Sequence, residues 1–184
     1  MGRVICIAGS HAVGKTTLFN KIKNECPNIG LIDGYIIDKG NLDLSNEKDY
    51  IQYELKYIKR LNEDYDSIRK GIKDTVVIRS FEDTMYYLEH QETVKSSWNL
   101  EEVKKSIDMK SDLIIFLDAN IDVLKRRANN DKFRDLTSTL DWYEHWHESY
   151  AKFWKSIPNC IIIDTTYLNS DEVFERVINI IKGE

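Results

Sequence analysis

Hydrophobic residues along this chain follow two alternating patterns: short unbroken runs, and longer stretches in which apolar positions recur every three or four residues. Val4-Ile5-Cys6-Ile7-Ala8, ended by Gly9, is a run of the first kind and predicts a strand buried on both faces of a parallel sheet. Residues 15–25 carry Leu18, Phe19 and Ile22 at helical spacing, and Pro27-Asn28 closes that helix. Ile29 to Ile37 is apolar but interrupted by Asp33-Gly34, which predicts a second strand with a turn or bulge inside it. From about Asn46 to Lys70, Tyr50, Tyr53, Leu55, Tyr57, Ile58, Leu61, Tyr65 and Ile68 form the apolar stripe of one long amphipathic helix, with Gly71 at its end. Thr75 to Ile78 reads as a third strand, followed by helices over roughly 81–96 and 99–109.

Leu113 to Leu117 is a fourth buried strand ending at Asp118, and a helix through Leu124 to Arg127 comes next. The polar stretch Asn129 to Asp135 reads as a loop, about Ser138 to Trp154 as an aromatic-rich helix, and Cys160 to Ile163 as a fifth strand. Ser170 to Lys182 is the final helix, with Ser170 as its expected cap. Strands alternating with helices imply right-handed crossovers. The expected fold is a doubly wound α/β domain, a five-stranded parallel sheet with helices on both faces, spanning residues 1–184 without a linker or internal repeat.

Composition narrows the function classes. Hydrophobic residues make up 42% of the 184 and charged ones 31%, enough apolar surface for one sizeable core without disulfide or metal staples. The net charge of −5 opposes general binding to a nucleic-acid backbone, which would need a local basic patch. Cys6, Cys26 and Cys160 are odd in number and widely spaced, neither a disulfide framework nor a zinc site. The longest apolar runs, Val4–Ala8 and Leu113–Leu117, fall far short of a membrane span, and MGRVICIAGS lacks the features of a signal peptide, so the expected location is the cytoplasm.

The chemistry concentrates directly after the first strand. Gly9-Ser10-His11-Ala12-Val13-Gly14-Lys15-Thr16-Thr17 is G-x-x-x-x-G-K-T opening a helix, the P-loop pattern. Gly9 and Gly14 permit backbone conformations that let successive N–H groups turn onto phosphate oxygens at a positive helix end. Lys15 supplies a mobile cation for the β and γ phosphates, and the Thr16 hydroxyl a ligand for Mg²⁺. Residues 9–17 are therefore the expected ATP site. A chance glycine turn is the bland alternative, made rarer by the strand before it and the helix after it.

The guanine-reading tetrapeptide N-K-x-D of a GTPase does not occur, and Asp33-Gly34 does not meet the D-x-x-G spacing. With the P-loop, the strand end Val77-Ile78-Arg79-Ser80 and the arginine-bearing stretch Lys125 to Arg134, the chain resembles the P-loop nucleoside and nucleotide kinases, most nearly the deoxynucleoside and thymidylate kinase branch. The segment Leu140 to Tyr150 looks like the aromatic, histidine-containing helix that follows the lid in that family. Arg79 and Ser80 match the family's strand end, while Ile78 replaces its acidic residue.

The resemblance implies transfer of the γ-phosphate of ATP to a nucleoside or nucleoside monophosphate, with Mg²⁺ as the metal and a short lid at about 129–137. Arg79 is expected to reach a phosphate oxygen. Arg134 is expected to act from the lid. Of the adjacent Arg126 and Arg127, one serves the nucleotide, assigned to Arg126, and the other pairs with an acid such as Asp122. Asp33, with Asp38 as alternate, is the expected acid that orients or deprotonates the acceptor hydroxyl. Glu82 and Asp83 stand in for the acid missing at Ile78, with Asp83 on Mg²⁺-bound water, unless they only cap a helix.

Tyr50, Tyr53, Tyr57, Tyr86 and Tyr87 divide between packing and base stacking, and Gln52 is the residue of the long helix best suited to a base edge. His145 and His147, two apart on a helix, point to different sides. The remaining alternatives are a polynucleotide end kinase using the basic 125–134 stretch and a non-catalytic ATP-binding regulator. The exposed faces of the long helices are available for a homodimer.

Overall fold

The computed structural model describes residues 1–34, 40–90, 97–107, 110–129 and 140–184. Its elements run β1 (Val4–Gly9), α1 (Lys15–Glu25), β2 (Gly30–Asp33), α2 (Glu47–Lys70), β3 (Thr75–Ile78), α3 (Phe81–His90), α4 (Ser97–Lys105), β4 (Leu113–Asp118), α5 (Ile121–Asn129), α6 (Leu140–Ser156), β5 (Cys160–Asp164) and α7 (Ser170–Lys182). The strands form one five-stranded parallel sheet in the order β2-β3-β1-β4-β5. Two compact units divide the chain: Met1–Cys6 with Gly30–Asp112, and Ile7–Ile29 with Leu113–Glu184.

In the first unit, β3 pairs with β1 from Val4↔Thr75 to Cys6↔Val77 and with β2 from Gly30↔Thr75 to Asp33↔Ile78. Its core is the buried stripe of α2, in which Ile51, Tyr57, Ile58, Leu61 and Tyr65 meet Val4, Val77, Phe81, Leu88 and Val103. Each such fully buried side chain contributes about 1.5–3 kcal/mol. Asn46 caps α2, its side chain accepting from the Lys48 and Asp49 amides, and Glu47 and Asp49 place acids in the positive first turn. A strand extending from Ile29 to Ile37 was expected; β2 is four residues long, ends at Asp33, and residues 35–39 lie outside the described ones.

In the second unit, β4 pairs with β5 from Ile114↔Cys160 to Asp118↔Asp164. Phe116 stacks on Trp154 of α6 with centroids 6.0 Å apart, and both are fully buried. Helix α1 lies against α7, where Lys21 bridges to Asp171 and sits 5.2 Å from the centre of the Phe174 ring. The expected lid, 129–137, falls outside the described residues apart from Asn129, which ends α5. Among the described residues no helix is long and apolar enough to cross a membrane.

One expected cap is displaced by a residue. Helix α7 is capped by Asn169 rather than Ser170: the Asn169 side chain accepts from the Asp171 and Glu172 amides, while the Glu172 carboxylate accepts from the Asn169 amide. This reciprocal box satisfies three amide groups, and Ser170 already lies inside the first turn. Asn169→Ala should lower unfolding free energy by about 1 kcal/mol in urea denaturation, and Ser170→Ala by a few tenths at most.

Candidate functional site

The loop after β1 is shaped by a lack of room. A Cβ on Gly9 would meet Leu117 O at 2.6 Å and Val13 Cγ1 at 2.8 Å, and the Gly9 φ of +153° disfavours any other residue. The chain then turns tightly, with the Val13 amide 3.4 Å from Ser10 O, through Ala12 in the left-handed region at φ 62°, and enters α1 at Gly14 with φ 109°. Lys15 Nζ donates to Gly9 O (2.6 Å) and Ser10 O (2.9 Å), folding its ammonium across the loop. Thr16 and Thr17 are exposed in the first turn. That turn has neither a side-chain cap nor an acidic residue, unlike those of α2 and α7, and presents its amides and positive helix end to an incoming anion.

Beside the loop, within the same unit, lies a cavity of about 360 Å³. Ala12 to Gly14, Thr17 and Leu18 form one wall; Arg127 of α5, Thr165, and Leu168 to Ser170 before α7 form the others. Arg127 is fixed by Thr165, Nη1 donating to Oγ1 (3.1 Å) and Nη2 to the carbonyl (2.8 Å), and Thr165 is itself tied to Asp118 O. Arg126, the expected nucleotide ligand, is exposed and does not line this cavity. One position of difference rotates a helical side chain by about 100°, and Arg127 is the half-buried one, directed to Thr165 rather than Asp122.

In the first unit, the residue that follows β3 is strained. Arg79 has φ 65°, a conformation that costs about 1–2 kcal/mol outside glycine. The Tyr57 hydroxyl donates to its carbonyl (2.6 Å), and its guanidinium lies over the Tyr57 ring at 4.6 Å. Arg79 Nη2 reaches Glu54 Oε1 at 3.3 Å. The Glu54 side chain is 1% exposed, and burial raises its carboxyl above the ordinary value, an effect that the Arg79 charge and the Tyr50 hydroxyl only partly offset. Glu54 Oε2 and Arg79 Nε are buried with no hydrogen-bond partner among the described residues.

Glu54 was not among the expected site residues. The signal lay in the α2 stripe, where Tyr50, Glu54, Tyr57, Ile58 and Leu61 share one buried face, so a carboxylate interrupts an otherwise apolar series. Gln52, the polar residue the sequence favoured on this helix, is exposed.

The other expected acids have separate placements. Asp33 is exposed at the end of β2, in register with Ile78, and Gly34 packs against the Arg79 side chain. Asp83 is buried, and its carboxylate accepts from the Ser80 amide at 3.1 Å while the Asp83 amide faces Ser80 Oγ at 3.5 Å. This is a capping arrangement at the start of α3, the alternative role the sequence allowed for Asp83. Glu82 binds the amide and hydroxyl of Ser111, both at 3.1 Å. Asp38 and Arg134 lie outside the described residues. Tyr50, Tyr57 and Tyr86 are core residues; His145 is exposed and His147 buried, on different sides of α6 as their spacing predicted.

The five-stranded parallel sheet and the phosphate loop define an α/β P-loop fold, and it is the fold of the nucleoside and nucleotide kinases. Thymidylate kinase from Candida albicans shares it at 17% identity and a TM-score of 0.69, over 99% of this chain and 92% of that one. The YorR protein of Bacillus subtilis, solved in complex with phosphorylated GDP, shares it at 17% identity and 0.63, over 97% and 95%. Deoxyadenosine kinase from M. mycoides, solved with bound dATP, shares it at 12% identity and 0.68, over 98% and 99%. No protein-family model and no curated protein sequence matches the chain.

The state of Glu54 can be read from stability. The folded protein holds this proton more tightly than the unfolded chain does. Between the ordinary carboxyl pKa and the raised one, stability therefore falls as pH rises. Urea unfolding across about pH 4 to 7 should show wild type losing stability relative to Glu54→Gln with increasing pH, by up to about 1.4 kcal/mol per pH unit. A difference flat in pH would mean that the folded carboxyl ionises at its ordinary value.

Proposed function

We propose that this protein is an ATP-dependent phosphotransferase that moves the γ-phosphate of ATP to a nucleoside or nucleoside monophosphate. The observation that carries this reading is the loop at residues 9–17: a helix start without cap or acid, two glycines at positive φ, and Lys15 folded across the turn. The cavity between that loop, Arg127 and the α7 start suits the base of the donor, with the guanidinium as a planar wall.

The residues present fit a nucleotide and its magnesium. Thr16 supplies an exposed hydroxyl as the protein's ligand. Magnesium binds through few protein ligands and keeps mostly phosphate and water around it, so one hydroxyl is a sufficient contribution from the loop. When bound, Mg²⁺ would neutralise charge on the transferring group.

Lys15 balances the charge that develops on the β and γ phosphates as the bond to the leaving ADP breaks. Asp33 accepts the proton of the acceptor hydroxyl as its oxygen bonds to phosphorus. Arg79 holds the acceptor; its free Nε, a donor, and Glu54 Oε2, an acceptor, match a hydroxyl group that both gives and receives hydrogen bonds. Arg134 acts from the lid. The cytoplasm, with its ATP, is the compartment this chemistry needs.

Incubation with labelled ATP and a metabolite extract, followed by a nucleoside and nucleotide panel, tests the reading. Label should move to a nucleoside or nucleotide, Lys15→Ala should lower kcat/KM by at least about 100-fold, and Arg79→Ala by a similar factor. ATP binding without transfer to any acceptor would instead select a nucleotide-binding regulator. Within the donor site, Arg127→Ala should raise the KM for ATP about tenfold, well beyond the effect of Arg126→Ala.

A further inference from the structure

Helix α6 holds two consecutive residues of the phosphate loop. Ser10 is fully buried, with its Oγ 2.6 Å from His147 Nδ1. His11 stacks on Trp146, ring centroids 5.0 Å apart and planes inclined by 23°. The stack continues from Trp146 to Tyr150 at 4.7 Å, and Tyr150 meets Phe116 of β4 edge-on. On the far side of the imidazole, Nε2 lies 3.8 Å from Asp118 Oδ1 at the end of β4, and Asp118 Oδ2 is held by Lys155 Nζ at 2.7 Å. Ser10, His147, Asp118 and Lys155 thus form one polar line beneath the loop.

The order of that line favours one direction for its hydrogen bond. A neutral imidazole carries one N–H, and the Asp118 carboxylate favours it on Nε2. Nδ1 is then a lone-pair acceptor, and the Ser10 hydroxyl donates to it. We infer that His147 is a positioning residue for the donor nucleotide: by accepting the Ser10 hydroxyl hydrogen it sets the front of the phosphate loop, while Trp146 braces His11. This rests on the reading of the loop as the ATP site.

Protonation places a hydrogen on Nδ1 and turns the acceptor into a donor, so the Ser10 hydroxyl must rotate and the hold changes. The groups that face the ring are Asp118 from β4 and Lys155, Glu148 and Glu144 from α6 itself. Burial and the Lys155 charge press its pKa below the ordinary histidine value, and the three acids oppose them. The neutral, accepting form therefore prevails at neutral pH, and the change falls on the acid side.

Titration calorimetry of the full chain with MgATP tests the inference. At about pH 7.5, His147→Ala and Ser10→Ala should each weaken binding about tenfold, with the double variant no weaker than either. His147→Asn, whose amide oxygen replaces Nδ1 as acceptor, should bind within about twofold of wild type. Between about pH 7.5 and 5.5 wild type should lose several-fold more affinity than His147→Asn, a comparison in which the nucleotide's own protonation cancels.

Equal affinity of His147→Ala and wild type, or one pH course for wild type and His147→Asn, would overturn it. The second comparison stands even where the alanine variant does not fold. Wild type that takes up no MgATP at either pH would sink the ATP reading and this inference together. Binding that ignores both substitutions and pH would sink the inference alone.

Discussion

The space at Gly9 is the constraint from which the phosphate loop follows. Its missing side chain lets the end of β1 approach the Leu117 carbonyl, which a Cβ would meet at 2.6 Å, and its positive φ starts the turn. Val13 closes over the same spot and is itself buried. The chain has only four residues between Gly9 and Gly14 in which to reverse, and it takes the left-handed conformation at Ala12 to do so. Helix α1 then begins on a glycine with no capping side chain. That geometry leaves the helix start without a side-chain cap, and an anion is a partner that can satisfy several such amides together.

Much of this was legible because it is local. Strands β1, β3 and β4 are built on short apolar runs, and α2 and α7 carry clear helical periodicity, with punctuation at Gly14 and Gly71. What local pattern could not supply is direction. Arg126 and Arg127 differ by one helical step, and only the position of Thr165, 38 residues away from Arg127, shows which of them lines the cavity. Glu82 read as a stand-in for the acid missing at Ile78 or as a helix cap, and its partner Ser111 lies 29 residues on, beyond the reach of a local pattern. Glu54 escaped because a stripe counted by its apolar members skips the polar residue set among them, and that residue carries the charge.

Arg79 and Glu54 make little sense as stabilising features. A left-handed arginine backbone costs about 1–2 kcal/mol, and a buried carboxylate with one oxygen unpaired adds a desolvation penalty that a single contact at 3.3 Å does not cancel. Domains have only about 5–15 kcal/mol in hand. Packing of Tyr57 against the guanidinium, with its hydroxyl on the Arg79 carbonyl, keeps the strained residue in place. Local rules broken together in this way, at the carboxyl edge of a parallel strand, are characteristic of binding sites, whose unsatisfied groups are completed by a ligand.

The carboxylate that meets Arg79 comes from a helix, as Glu54 of α2, and not from β3, which ends in Ile78. A carboxylate fixed at the end of β3 would sit beside Arg79 along the strand, constrained by the pleat. Delivered from α2, it approaches the guanidinium from a helix, twenty-five residues earlier in the chain. A helix can shift or rotate by small amounts that a central strand cannot, because side-chain packing rather than a hydrogen-bonded ladder sets its register. The charge pair can thus be kept while the space around it changes shape. Two chains of one fold can then share the phosphate loop residue for residue and still differ in the space beside this strand end.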